Sequence, residues 1–286
     1  MRNNEERFEQ TLRQQDGNPP PQQNGGALSF VSPTEIVSLP SCGKYYGEGH
    51  PLHGKDSIEI RHMTAREEDI LTSRSLLKKG TAIDKLLESI IVDKSIKLQD
   101  LLVGDKNALL IAARITGYGH EYETQITCPS CGEKSKQGFN LAEHLERRTG
   151  NFEDALPDDC ERLDSGNILI KLPKSGWIVE CRLLTGADEA RMLKLAESRK
   201  RFADVDETKL SDQLENMIVA IQGVTDRVML QKAIYAMPAM DSKHLRKRYQ
   251  LCVPTVDLRT VFTCPSCSGE QEMEVPFTTD FFWPKQ

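Results

Sequence analysis

Long apolar runs are absent from this chain of 286 residues. No window approaches the roughly 18 consecutive apolar residues of a membrane-spanning helix, so no span is expected. Met1–Gln15 is polar and charged, with no apolar stretch, so it does not read as a secretory signal. A basic excess is absent too: 37 Lys and Arg face 43 Asp and Glu, for a net charge of −6. That balance argues against nucleic acid as a partner, because phosphate binding calls for clustered positive charge. There is no P-loop, no Rossmann glycine pattern, no nucleophile elbow and no His-Glu-x-x-His helix. The expectation is therefore no enzyme and no small-molecule substrate. Residues 1–27 hold almost no large apolar side chains and carry Gln14-Gln15 and Pro19-Pro20-Pro21. Alone, such a segment cannot bury enough surface to offset its ordering entropy.

The chain does have eight cysteines. Without an export signal they belong in a reducing compartment, where paired C-x-x-C knuckles mean metal more often than disulfide. Four of them form two identical tetrapeptides, Cys128-Pro129-Ser130-Cys131 and Cys264-Pro265-Ser266-Cys267, each preceded by Thr and lying 136 positions apart. Each knuckle sits between two runs of strand character, as in a zinc-ribbon hairpin. Neither has His or Cys ligands nearby to complete a tetrahedron, since His144 lies 13 residues past Cys131. The knuckles therefore point to one shared structural zinc held by Cys128, Cys131, Cys264 and Cys267. Two separate redox motifs fit less well, because neither opens a helix after a buried strand. A catalytic zinc fits least, because four thiolates leave no place for water.

Other polar clusters have plainer readings. Cys42, His50, His53 and His62 could suggest a second metal site or a Cys-His dyad, but they read better as ordinary residues of a Gly-rich loop. Cys181 and Cys252 are flanked by apolar residues and read as buried thiols. Arg199-Lys200-Arg201 and Arg246-Lys247-Arg248 read as solvated helix faces. Glu67-Glu68-Asp69 and Asp188-Glu189 fall in first helical turns, where the helix dipole accounts for them.

The order of elements repeats. Ser57–Met63 reads as a strand, and Thr64 to Glu67 as a capping box opening a helix that runs to Gly80. Thr81–Val92 carries an apolar stripe. Asp105 caps a short helix through Ala113, stopped at Gly117-Tyr118-Gly119. Strands Tyr122–Thr127 and Ser135–Phe139 flank the first knuckle. In the second half, strands Asn167–Leu172 and Trp177–Leu184 surround a Pro173–Gly176 turn, and Thr185 caps a helix with Asp188 at the capping-box position. Leu214–Ile221, Val228–Tyr235 and Ser242–Leu251 read as helical, and Leu258–Thr263 leads into the second knuckle. An offset of 121 aligns Ile178–Thr185 with Ser57–Thr64, and an offset of 136 aligns Asp241 with Asp105 and Thr263 with Thr127. The expected fold is α+β, with two related lobes joined by the shared zinc. Residues 1–56 form a polar, extended N-terminal arm, 57–150 a first lobe and 151–286 a second, each lobe ending in a knuckle hairpin. Phe281-Phe282-Trp283 is a candidate anchor for a neighbour's pocket, or packs back on its own ribbon.

Further motifs carry a resemblance. Leu39-Pro40-Ser41-Cys42-Gly43, Tyr45-Tyr46, His50-Pro51-Leu52, Gly54 and Glu59-Ile60-Arg61 are followed by Met63-Thr64-Ala65, Glu67-Glu68-Asp69-Ile70-Leu71, Lys79-Gly80 and Asp93-Lys94. Leu101 to Asn107 and Gly117-Tyr118-Gly119 complete the set. Across about residues 36–145 the chain resembles the baseplate hub family of T-even phages, structural proteins of contractile (myovirus) tails. Members of that family usually carry a charged residue where Cys42 stands. The resemblance implies a non-enzymatic virion component of the tail baseplate, or a factor assembling it in the host cytoplasm. Its partners would be other baseplate and tail proteins. A zinc-ribbon nucleic-acid-binding or regulatory protein is the alternative.

Overall fold

In the first half, a strand β1 (Thr34–Ser38) pairs antiparallel with β2 (Ser57–Arg61), with Val37 opposite Ile58. The alternation of β2 turns Ile58 and Ile60 into the core and Glu59 outward. The structure is a computed structural model that describes residues 32–149, 156–200, 209–277 and 281–283. Most of the segment read as an arm, residues 1–31, lies outside the described residues. The rest of that segment contributes β1 and also buries Leu39, Tyr46 and Leu52.

Helices α1 (Ala65–Thr72), α2 (Arg74–Lys78) and α3 (Ala82–Ile90) follow. The expected single helix to Gly80 is interrupted at Ser73, whose backbone is extended. The capping box forms as read: the Thr64 amide donates to Glu67 Oε2 at 3.0 Å and the Thr64 hydroxyl to the same oxygen at 2.6 Å. Helix α4 runs from Val103 to Tyr118, longer than expected at both ends. Gly117 does not stop it. A Cβ there would lie 2.8 Å from Met63 Sδ, so glycine lets Met63 pack on the helix, and Gly119, at φ +84°, ends it. The hairpin of β3 (Glu121–Thr127) and β4 (Lys134–Asn140) leads to α5 (Leu141–Glu146) and β5 (Arg148–Thr149).

The second half forms an antiparallel sheet in the order β6 (Cys160–Arg162), β7 (Ile168–Lys171), β8 (Ile178–Cys181) and β9 (Ile218–Ile221). Between β8 and β9 lie α6 (Gly186–Lys200) and α7 (Lys209–Met217). After β9 come α8 (Arg227–Ala236) and α9 (Ala239–Cys252). Leu214–Ile221 was expected to be one helix, but the helix stops at Met217. The β-branched Ile218-Val219 and Ile221 instead complete the hydrogen-bond ladder of β8. The chain returns through β10 (Thr255–Val256), which pairs with β5, and the hairpin of β11 (Arg259–Thr263) and β12 (Glu270–Glu274). The class is mixed α and β with small antiparallel sheets.

Among the described residues, two apolar cores form. One gathers Ile60, Leu86, Leu109 and Tyr122 together with Phe262, Cys264, Val275 and Phe281 from the end of the chain. The other gathers Ile168, Ile170, Val179, Leu230, Leu245 and Cys252. The β11–β12 hairpin thus packs with the core of the first half. Lys106 of α4 ties α3 to α6, with Nζ 2.8 Å from Asp84 and 2.9 Å from Glu189.

Buried polar contacts recur at the offsets read from the sequence. The guanidinium of Arg61 donates to both Glu67 oxygens, at 3.1 and 2.6 Å, and Ser89 near the end of α3 donates to Oε1 at 2.7 Å. The guanidinium of Arg182 donates to both Asp188 oxygens, at 2.7 and 2.8 Å, under the Thr185 cap. Asn216, near the end of α7, is reached through Arg191, which donates to it at 2.7 Å and to Asp188 at 2.6 Å. Burial alone would raise the Glu67 carboxyl, but Arg61, Thr64 and Ser89 bring it from 4.5 down to about 2. Asp188 is likewise pushed up by burial and pulled from 3.8 to about 2 by Arg182 and Thr185. Both carboxyls sit below their unfolded values, so their contribution is complete above those values and lost as pH falls through them toward 2. The urea midpoint is therefore expected to fall as pH drops from about 5 to about 3. In Arg61→Met the fall begins from a lower plateau and is shallower, because Glu67 returns toward its ordinary value. Parallel curves for the two proteins would contradict this.

The aligned pair Asp105 and Asp241 makes a second recurrence, and the turns they hold lie outside that alignment. Asp105 and Asp241 are both fully buried and both third in their helices, α4 and α9. Neither is the cap. Asp105 accepts from the Ser41 amide at 2.9 Å, the Ser41 hydroxyl at 2.6 Å and the Tyr46 hydroxyl at 2.7 Å. Asp241 accepts from the Lys174 and Ser175 amides at 2.8 and 2.9 Å. The turns they hold are Leu39-Pro40-Ser41-Cys42-Gly43 and Leu172-Pro173-Lys174-Ser175-Gly176. In each the final glycine has positive φ, +69° and +70°. The Leu-Pro-x-x-Gly repeat was the available signal.

Candidate metal centre

A knuckle presents its sulfurs because the turn closes on itself. In the first, the Cys128 amide donates to the Glu133 carbonyl at 2.8 Å and the Gly132 amide to the Cys128 carbonyl at 2.8 Å. In the second, the Cys264 amide donates to the Gly269 carbonyl at 3.0 Å and the Ser268 amide to the Cys264 carbonyl at 2.9 Å. The pattern is the same, 136 residues on. Gly132 takes the left-handed backbone at φ +76°, where the second knuckle places Ser268 at +54°. At the adjoining Gly269 a Cβ would lie 3.3 Å from Cys267 Sγ of the same knuckle and in ordinary contact, at 3.6 Å, with Ser130 Oγ of the facing one.

The structure brings all four predicted sulfurs together, within 4.8 Å of one another. Cys128 Sγ is 3.8 Å from Cys267 Sγ, and Cys131 Sγ is 3.7 Å from Cys264 Sγ. Zinc–thiolate bonds of about 2.3 Å in a tetrahedron place neighbouring sulfurs about 3.8 Å apart. A disulfide would require about 2.05 Å. The spacing and the donor set fit a closed four-thiolate metal site.

Cys128 and Cys264 are buried in the main core, whereas Cys131 and Cys267 are exposed. The Cys128 thiol is held down at about 6, first by the amide of Cys131 and then by that of Ser130. For Cys131 the amide of Glu133 acts in the same downward direction. Desolvation and the thiols of Cys128, Cys267 and Cys264 outweigh it and push the group up to about 12.

Aromatic packing sets the hairpins. The Tyr122 hydroxyl donates to the Pro276 carbonyl at 2.8 Å, and the ring meets Phe281 edge-on at 5.1 Å. Phe281 and Phe282 are buried, so these residues of the tail pack on their own ribbon rather than standing out as an anchor. Arg114 is buried beside them, donating to the Gly119 and Glu121 carbonyls at 2.7 and 3.1 Å.

The residues Cys42, His50, His53 and His62 do not converge. His50 stacks on Tyr46 at 4.4 Å, and burial lowers its pKa. His53 Nδ1 meets the Tyr46 carbonyl at 2.6 Å, while His62 lies 3.8 Å from Glu35 on the β1–β2 pair. Of the basic runs, Arg248 is paired with Asp159 at 2.9 Å. The side chains of Arg199-Lys200-Arg201 lie outside the described residues. Among the described residues, no helix is long and apolar enough to cross a membrane.

Residues 34–161 match the family model described as T4 bacteriophage base plate protein. The matched segment is a little under half of the chain and includes the first knuckle. No curated protein and no solved structure matches the chain.

Proposed function

We propose, on the premise that residues 34–161 match the T4-type phage baseplate family, that this chain is a structural part of a contractile tail baseplate. It acts near the hub, as a virion component or as a factor assembling the baseplate in the host cytoplasm. Its work is to hold other baseplate and tail proteins in place by surface contacts, and it performs no catalysis. The family match carries this reading. Cys128, Cys131, Cys264 and Cys267 would hold one structural zinc, supported by the 3.7 and 3.8 Å sulfur spacings. Bound there, zinc supplies a rigid cross-link between hairpins far apart in the chain.

The recurring Arg–carboxylate, Leu-Pro-x-x-Gly and knuckle contacts support an internal duplication, with residues 57–150 and 151–286 as its halves and residues 1–56 as an arm. A duplicated chain clipped at its two hairpins is suited to a connector, because the clip fixes the angle between the halves. Mass spectrometry of purified virions and of tail assembly intermediates tests the assignment. The chain is expected in at least one of them at stoichiometric level. Its absence from both would end the reading.

A further inference from the structure

Four cysteines lie outside the knuckles, and two of them, Cys160 and Cys252, sit on a strand and a helix that are laced together. Strand β6 places Cys160 directly opposite Ile170 of β7. Cross-strand partners share a face of the sheet, and Ile170 is fully buried, so Cys160 turns toward the second core. Facing it is the last part of α9, where His244, Arg248 and Cys252 recur every fourth residue along one face. The segment before and after Cys160 is laced to that face. Asp159 Oδ2 lies 2.6 Å from His244 Nε2 and accepts from Arg248 Nε at 2.9 Å. Arg162 Nη2 donates to the Cys252 carbonyl. Cys160 lies between these ties, its thiol 3.8 Å from Asp159 Oδ1 and packed against the core that holds Cys252. Cys160 is half-buried and Cys252 fully buried, both against the second core.

We propose that Cys160 and Cys252 form a redox-active dithiol, a modification site that takes a low-molecular-weight disulfide and closes into an internal disulfide stapling β6 to the end of α9. The unequal exposure sets the order. Cys160 loses its proton to water, and its thiolate attacks one sulfur of the disulfide R–S–S–R. That step forms a mixed disulfide on Cys160 and expels one R–S⁻, which takes up a proton. Cys252 then gives up its proton and attacks the Cys160 sulfur, breaking the mixed disulfide and expelling the second R–S⁻. Two protein thiols are oxidised and one external disulfide is reduced to two thiols. Exposure, not acidity, makes Cys160 the first to react, since its interaction with Cys252, burial and the Asp159 carboxylate all raise its thiol. The resolving role suits Cys252, whose thiol is lowered by its interaction with Cys160 and by Arg162 and Arg248. Cys181, buried on β8, has its thiol raised by burial and is the competing partner within the core.

The test uses the zinc-loaded full chain with oxidised glutathione, followed by alkylation of free thiols and peptide mapping. The expected product is a Cys160–Cys252 linked peptide with the knuckle cysteines unlinked. Cys160→Ser abolishes the link and leaves Cys252 free of glutathione. Cys252→Ser traps glutathione on Cys160. Should Cys252→Ser fail to fold, the wild type and Cys160→Ser decide the matter. Recovery of both cysteines as alkylated thiols would overturn the proposal, as would a Cys252 link to Cys181 or to a knuckle.

Discussion

Replacing Cys128 with Ser is expected to release the zinc proposed at the knuckles and to cost about 3 kcal/mol or more of stability. In a chain of this size that is a fall in Tm of roughly 6–12 °C. The physical ground is the position of Cys128, buried at 2 % exposure in the core that also holds Cys264, Phe262 and Phe281. With zinc at the proposed site, losing one thiolate would open the tetrahedron, leave the remaining sulfurs to repel one another and remove a metal cross-link between the two knuckles. Metal analysis of the wild type should return about one zinc per chain. Chelation should reproduce the loss of stability. Acid should do the same, because thiolates must be deprotonated to bind and protons compete for them as pH falls. Two zincs per chain would exclude a shared site. A chelated protein with an unchanged Tm would exclude a structural one.

Gly104→Ala is expected to cost about as much, for a reason unrelated to metal. Gly104 is the second residue of α4, and a Cβ there would lie 1.9 Å from the Pro254 carbonyl oxygen and 3.0 Å from Thr255 Cα. Both obstacles are backbone, so neither can swing aside. The helix must shift away from the segment that enters β10, and β10 carries the chain into the second knuckle hairpin. Overpacking of this kind costs about 3 kcal/mol or more, a Tm loss of roughly 6–12 °C. Gly47→Ala is the control: nothing lies within 4 Å of its Cβ and its φ is ordinary. That change should stay within about 0.5 kcal/mol of wild type. Thermal denaturation of the three proteins checks both statements. A Gly104→Ala protein that melts with the wild type would show that α4 and residues 254–255 are not in contact as described.

Sequence by itself determined the features whose physics is local. Thr64 and Glu67 form their capping box within four residues, and the knuckle turns close within six, so spacing was enough to find them. The four knuckle cysteines were legible as a candidate metal site because four soft ligands in two pairs have few other uses in a reducing setting. Tertiary structure decided the rest. Ile218–Ile221 became a strand because β8 offered it a ladder, a partner remote in sequence. Gly117 sits inside a helix because Met63 packs on it. Asp105 lies inside α4 instead of capping it, and Asp105 and Asp241 hold Leu-Pro-x-x-Gly turns that lie 64 and 67 residues away. Phe281 and Phe282 turned inward because Tyr122 and the knuckle hairpins left a core for them to complete. Cys160 and Cys252 pack against one core because strand–helix docking brings their elements together across 92 positions of chain. A contact of that range depends on the whole fold, which spacing along the chain does not encode.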